Sequence, residues 1–287
     1  MTTRPTKAKK ETPAAARARM AVIVERLKGV YPESVCALEW GGQRGGEWDT
    51  RLRDSWKLLV MARLSAQCTD ARVNIVSREL FAAYPTPLSL AEAGQAEVEA
   101  IIRPCGLFRT KAESIRAACR ILVDEYGGIV PDDMDALLAL PGVGRKIANL
   151  LLGDIYKRPA VVTDTHCIRI CGRLGFYDTA LKDPARVEKI LVEIIEPNEQ
   201  SDFCHRIVQF GRDTCTAAST NGTGNSKNIG INGFSLDRDD IGAAADTVHT
   251  GDGAGSHIHH SYAGRYTCGT ANTDGNGDDP DGAACGR

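Results

Sequence analysis

The chain lacks any stretch of eighteen uninterrupted apolar residues among its 287, so no segment is long enough to span a bilayer as a helix. No signal peptide is expected from its opening residues. Its ten cysteines are therefore expected to be thiols of a reduced, cytoplasmic protein rather than a disulfide scaffold. No repeat of fixed period is visible. Extended patterning is nearly absent too, with only "PAVV" at Pro159–Val162 reading as a strand-like stretch.

The scarcities are sharpest after Cys215. From Thr216 to Arg287 there is no glutamate and one leucine, against nine aspartates and 14 of the 29 glycines. Such a composition buries little apolar surface. Residues 216–287 are expected to form a low-complexity, disordered tail. Its "DGNGDDPDG" resembles a calcium loop, but Asp279 and Cys285 stand where the turn glycine and closing glutamate belong; "HIHH" at His257–His260 is at most a weak metal site. The segment from Met1 to Cys215 holds 31 Lys/Arg against 28 acidic residues, a small excess that permits a polyanionic partner without demanding one. Residues 1–20, with Arg4, Lys7, Lys9, Lys10, Arg17 and Arg19, read as a disordered basic arm, either for nucleic acid or merely solvated.

What is present is helical periodicity. Met20, Ile23, Val24 and Leu27 recur at i, i+3, i+4 and i+7, and Trp56, Leu59, Val60 and Leu64 share a face of a second helix that Asp54 or Ser55 can cap. Further helices are expected over 71–83, 96–103, 110–126, 133–140 and 145–156, then near 165–173, 184–195 and 201–212. Proline- and glycine-rich breaks such as "YPTP" and "RPCG" separate them. The body is mainly α.

Two of these helices are joined by "PGVG", a helix-hairpin-helix candidate. Gly142 and Gly144 allow a tight turn and leave N–H groups uncovered at the positive end of the second helix, where a phosphate would fit. An ordinary αα-hairpin is the alternative. Arg145 and Lys146 open that helix. A lysine there is either a phosphate clamp or a nucleophilic amine, and the second role requires lowering a free pKa of about 10.4. Eighteen residues on, Asp164 precedes a helix it can cap. Lysine and aspartate acquire a joint meaning only if the fold brings them together.

"LSAQCTDARVN" at Leu64–Asn74, "CGLFRTKA" at Cys105–Ala112, "LPGVGRKIAN" at Leu140–Asn149 and "VTDTHCIRICGRLGF" at Val162–Phe176 together resemble the endonuclease III family of DNA repair glycosylases, from roughly Ala21 to Cys215. The resemblance implies two helical domains: a six-helix domain over 48–158 carrying the hairpin, and a second built from 21–47 and 159–215. It implies a monomer with double-stranded DNA across the cleft. Lys146 matches the catalytic lysine and Asp164 the catalytic aspartate; Gln67 and Leu107 match residues that fill the gap left by a flipped nucleotide. Gly142, Val143, Gly144 and Arg145 would contact DNA, and Lys111 would reach a phosphate. His166 receives no role in proton transfer.

That family commonly closes with C-x6-C-x2-C-x5-C, which holds a [4Fe–4S] cluster. Here Cys215 matches the first ligand and Gly222, Asn225 and Ile231 occupy the other three places. Neither the tail thiols Cys268 and Cys285 nor the helical Cys204 is a good substitute. The expectation is no ordinary cluster, and a tail read out of frame from its gene; finding the missing cysteine spacing in neither alternative frame of the coding DNA would reject the frameshift. The function implied is excision of oxidised pyrimidines with abasic-site lyase activity, the alternative being a non-catalytic DNA-binding protein with a defective second domain.

Overall fold

A computed structural model describes residues 11–33, 35–41, 48–216, 230–231 and 234–235. Arg4, Lys7, Lys9 and Lys10 of the basic arm lie outside the described residues, as do nearly all of the tail, "HIHH" and "DGNGDDPDG" included. Among the described residues there are eleven α-helices: α1 (Pro13–Val30), α2 (Trp48–Leu64), α3 (Asp70–Ala83), α4 (Pro87–Glu92), α5 (Gln95–Ile102), α6 (Phe108–Tyr126), α7 (Met134–Ala139), α8 (Arg145–Tyr156), α9 (Thr165–Arg173), α10 (Pro184–Ile194) and α11 (Gln200–Asp213). Two-residue strands β1 (Gly230–Ile231) and β2 (Phe234–Ser235) pair antiparallel. No described helix is long and apolar enough to cross a membrane.

Two hydrophobic clusters organise the helices. The first is contributed by α2 to α8, with Trp56, Leu59, Leu80, Ile115, Leu122, Leu151 and Ile155 inside. Cys36, Leu38 and Trp40 belong to it as well, so residues 36–40 side with the hairpin-bearing helices rather than with α1. The second gathers α1, α9, α10 and α11 around Ile23, Leu27, Ile170, Leu191, Phe203 and Phe210. Each large apolar side chain so buried contributes about 1.5–3 kcal/mol. Helix α8 packs on α2 and α7 on one side and on α11 on the other, so it stands where the two clusters meet.

Local chemistry sets the helix starts. Thr12 caps α1 by accepting from the Ala15 N–H, and Asp183 caps α10 ahead of Pro184. The expected basic arm ends earlier than residue 20, because α1 begins at Pro13. Arg17 donates to the Glu193 carbonyl, and Arg19 is buried, donating to Leu174 O at 2.8 Å and pairing with Glu11; both are spent on packing. Helix α2 starts at Trp48, so Asp54 and Ser55 lie inside it and cap nothing. The buried Ser55 hydroxyl instead donates to Leu52 O and accepts from the Val130 N–H. Helix α4 makes seven helices between 48 and 156 where six were expected.

Candidate nucleic-acid interface and active-site cavity

The hairpin is built as its glycines require. After α7 the Val143 N–H closes the turn on Leu140 O at 3.1 Å. Gly142 takes φ +79°, and a Cβ there would stand 2.6 Å from Arg63 Nε and 2.9 Å from Ser114 Cβ. Gly144 is the N-cap of α8, with no side chain capping that end and nothing within 4 Å of where its Cβ would be. The first N–H groups of α8 thus have no side-chain cap and lie at the positive end of the helix dipole. Val143 does not meet this surface, contrary to expectation: its side chain is buried in the first cluster and its N–H is already used. Arg145 is exposed, but its Nε is held by Glu188 of α10 at 2.7 Å.

Lys146 is exposed on the first turn of α8 and lines a cavity of about 450 Å³. Asp164 lines the same cavity. The aspartate is also the N-cap of α9, its Oδ1 accepting from the Cys167 N–H at 2.8 Å. The lining also includes His205, Val208, Gln209 and Arg212 of α11, at the spacing of one helix face, and residues 35–38. These lining residues were missed in the sequence. The one available signal was Leu150, four residues beyond Lys146 and so on the same face of α8.

His166 sits under this wall, its Nδ1 3.2 Å from an Arg169 guanidinium nitrogen. Burial is the main cause that holds its pKa below 6.5, with Asp164 opposing and Arg169, Arg212 and Lys146 reinforcing.

Gln67 and Leu107 occupy exposed turns, Gln67 after α2 and Leu107 immediately before α6. Both adopt left-handed backbone conformations, at φ 55° and 47°, which non-glycine residues seldom do. Leu107 is 57% exposed. Lys111 reaches no phosphate. It is fully buried, with Nζ donating to Leu64 O at 2.8 Å and Cys105 O at 2.9 Å, and desolvation lowers its pKa. The α6 spacing turns it inward, where it joins the roots of the two turns. Cys215 is likewise inward, its sulfur accepting from Arg173 at 3.0 Å.

The architecture thus combines a helix end with no side-chain cap, a cavity lined by an amine and a carboxylate, and two strained exposed turns. Comparison with known proteins points the same way. Residues 60–197 match the family described as "HhH-GPD superfamily base excision DNA repair protein". An endonuclease III of Synechocystis sp. is 40% identical over 205 residues, covering 71% of this chain and 87% of that protein. Two solved structures, a non-covalent endonuclease III–DNA complex and a trapped endonuclease III–DNA covalent intermediate, each superpose with TM-score 0.63 at 37% identity, covering 71% of this chain and 89% of theirs. The chain belongs to the endonuclease III family of base excision repair DNA glycosylases.

Proposed function

We propose that the chain is a bifunctional DNA glycosylase and abasic-site lyase in which Lys146 is the nucleophile and Asp164 the carboxylate beside it, acting on double-stranded DNA that carries oxidised pyrimidines or abasic sites. The observation that carries this reading is that Lys146 and Asp164, on two different helices, line one cavity of about 450 Å³. Small-ligand sites run to roughly 300–1,000 Å³, so a single flipped nucleotide is of suitable size. The open N-terminus of α8 takes a neighbouring phosphate, and Gln67 and Leu107 fill the vacated stack. The DNA present in the two superposed endonuclease III structures supports DNA as the partner.

The chemistry follows from the two groups. The unprotonated Lys146 amine attacks the sugar C1′; the C1′–N bond breaks, and the base leaves with that electron pair and gains a proton. Asp164 stabilises positive charge developing on the sugar. Loss of a proton from the attached nitrogen and opening of the C1′–O4′ bond, with O4′ taking the electron pair and a proton to become a hydroxyl, give an iminium. The iminium acidifies C2′, a proton leaves there, and the C3′–O bond breaks with departure of the 3′ phosphate, which is β-elimination. Water then frees the lysine.

No step passes through an iron–sulfur cluster. The family's four-thiolate pattern retains only Cys215, while Gly222, Asn225 and Ile231 offer no sulfur. We therefore read the chain as working without that cluster, and anaerobic purification yielding about four irons and four sulfides per chain would contradict this.

The function is tested on a duplex carrying one oxidised pyrimidine, following base release and strand cleavage separately. The parent should do both and Lys146→Ala neither, with DNA binding retained. Cleavage by Lys146→Ala would reject the assignment of the lysine, and a parent that binds but does neither would favour a DNA-binding protein without chemistry.

A further inference from the structure

Below the Lys146–Asp164 end of the cavity lies a second group of reactive side chains that the excision chemistry does not use. Cys36, Asp154 of α8 and His205 of α11 bring a sulfur, a carboxylate oxygen and an imidazole nitrogen all within 4.8 Å of one another. His205 Nε2 is 2.6 Å from Asp154 Oδ1, and the Ser201 hydroxyl donates to that same oxygen at 3.4 Å. The other carboxylate oxygen, Oδ2, is buried with no nitrogen or oxygen partner, on a side chain only 8% exposed, and among the described residues the Cys36 thiol is the one further group that bonds the carboxylate. A buried carboxylate oxygen left unpaired is costly and uncommon. Cys36 and His205 both line the cavity, so a fourth position beside them opens into it.

We propose that Cys36, Asp154 and His205 bind one divalent ion of the zinc class. The mixed S, O, N donor set is what a borderline-soft ion takes, and a thiolate disfavours magnesium and calcium. Cysteine thiolate and aspartate carboxylate together balance the charge of the dication, the thiol proton leaves to solvent on binding, and His205 coordinates as the neutral imidazole. Tetrahedral geometry is completed by a water or small anion from the cavity.

The ion's task is structural. Asp154 is eight residues beyond Lys146 on α8, about 12 Å at 1.5 Å per residue, so the ion does not touch the reacting amine. It fastens the segment around Cys36 and the lining face of α11 to α8, fixing two walls of the cavity across the meeting of the two hydrophobic clusters. The lysine and aspartate assignment stands or falls independently of it.

The test uses the full chain stripped with a chelator and titrated with cobalt(II), whose thiolate complex gives a near-ultraviolet charge-transfer band. The parent should develop the band with one equivalent and melt at a higher temperature with zinc present. Cys36→Ser should lose the band although Cys215 and the tail's cysteines and histidines remain. Asp154→Asn, close to isosteric, should keep the fold and weaken cobalt binding roughly 10–100-fold; it replaces Cys36→Ser as the decisive variant if the serine protein does not fold. No band in the parent, a band that survives Cys36→Ser, or unchanged affinity in Asp154→Asn would each overturn the proposal.

Discussion

Gln67 and Leu107 stand forty positions apart in the chain, yet they share the same left-handed backbone conformation and the same buried anchor. Lys111 donates to Leu64 O, three residues before Gln67, and to Cys105 O, two residues before Leu107. One ammonium therefore sets the spacing of both strained turns. Lys111→Met should leave two buried carbonyls unpaired at about 1–3 kcal/mol each, and should lower damage excision further than stability alone accounts for. Thermal melts with single-turnover excision check this; a variant as stable and active as the parent would show that the bonds hold nothing.

The two glycines of the hairpin separate folding from binding. Gly142→Ala puts a methyl group against Arg63 and Ser114 at a left-handed backbone position, and should cost about 1–3 kcal/mol of stability. Gly144→Ala meets nothing; it should cost about 1 kcal/mol or less as a change of N-cap while obstructing phosphate approach to α8. The expected outcome for Gly144→Ala is a near-parental melting temperature with weakened, less salt-dependent DNA binding. Unchanged binding would place the phosphate elsewhere.

Asp164 has two duties that one substitution divides. Asparagine caps a helix as well as aspartate does, so Asp164→Asn should keep the bond from the Cys167 N–H and the stability of α9. The lost charge should slow base excision by about 10²–10⁴-fold if the carboxylate acts on the reacting sugar as proposed. A melting temperature that falls in step with activity would reduce Asp164 to a cap.

His166 gives the fold an acid sensitivity of defined sign. Burial holds its pKa below 6.5 in the folded chain, so the unfolded chain binds the proton first as pH falls. The stability associated with neutral His166 is fully present above pH 6.5 and is lost as pH drops through the lowered folded value. His166→Gln should accordingly lose less stability than the parent between about pH 7 and pH 5. Parallel denaturation curves for the two proteins across that range would contradict this.

Periodicity in the sequence made most helices legible, because Met20, Ile23 and Leu27, or Trp56, Leu59 and Val60, are buried for the reason their spacing suggests. Helix α4 escaped notice because it opens at Pro87, inside the proline-rich "YPTP" stretch that reads as a break. The position of a charged side chain was harder to read. Lys111 and Arg19 are as buried as the core leucines, since Lys111 meets the Leu64 and Cys105 carbonyls and Arg19 meets the Leu174 carbonyl and the Glu11 carboxylate. Lys146 and Asp164 were nameable only through resemblance; nothing in their spacing says that α8 and α9 open on one cavity. Cys36, Asp154 and His205 are separated by more than a hundred residues in the first gap and fifty in the second, and only the packing of α8 against α11 unites them.

The central claim is that the Lys146 amine becomes covalently joined to the sugar, and borohydride trapping on a duplex with one abasic site tests it most directly. Reduction of the iminium should leave the parent chain cross-linked to DNA, with the adduct mapped by peptide mass spectrometry to Lys146 and absent from Lys146→Ala. An adduct on another residue, or none from a folded parent that binds the duplex, would contradict the account.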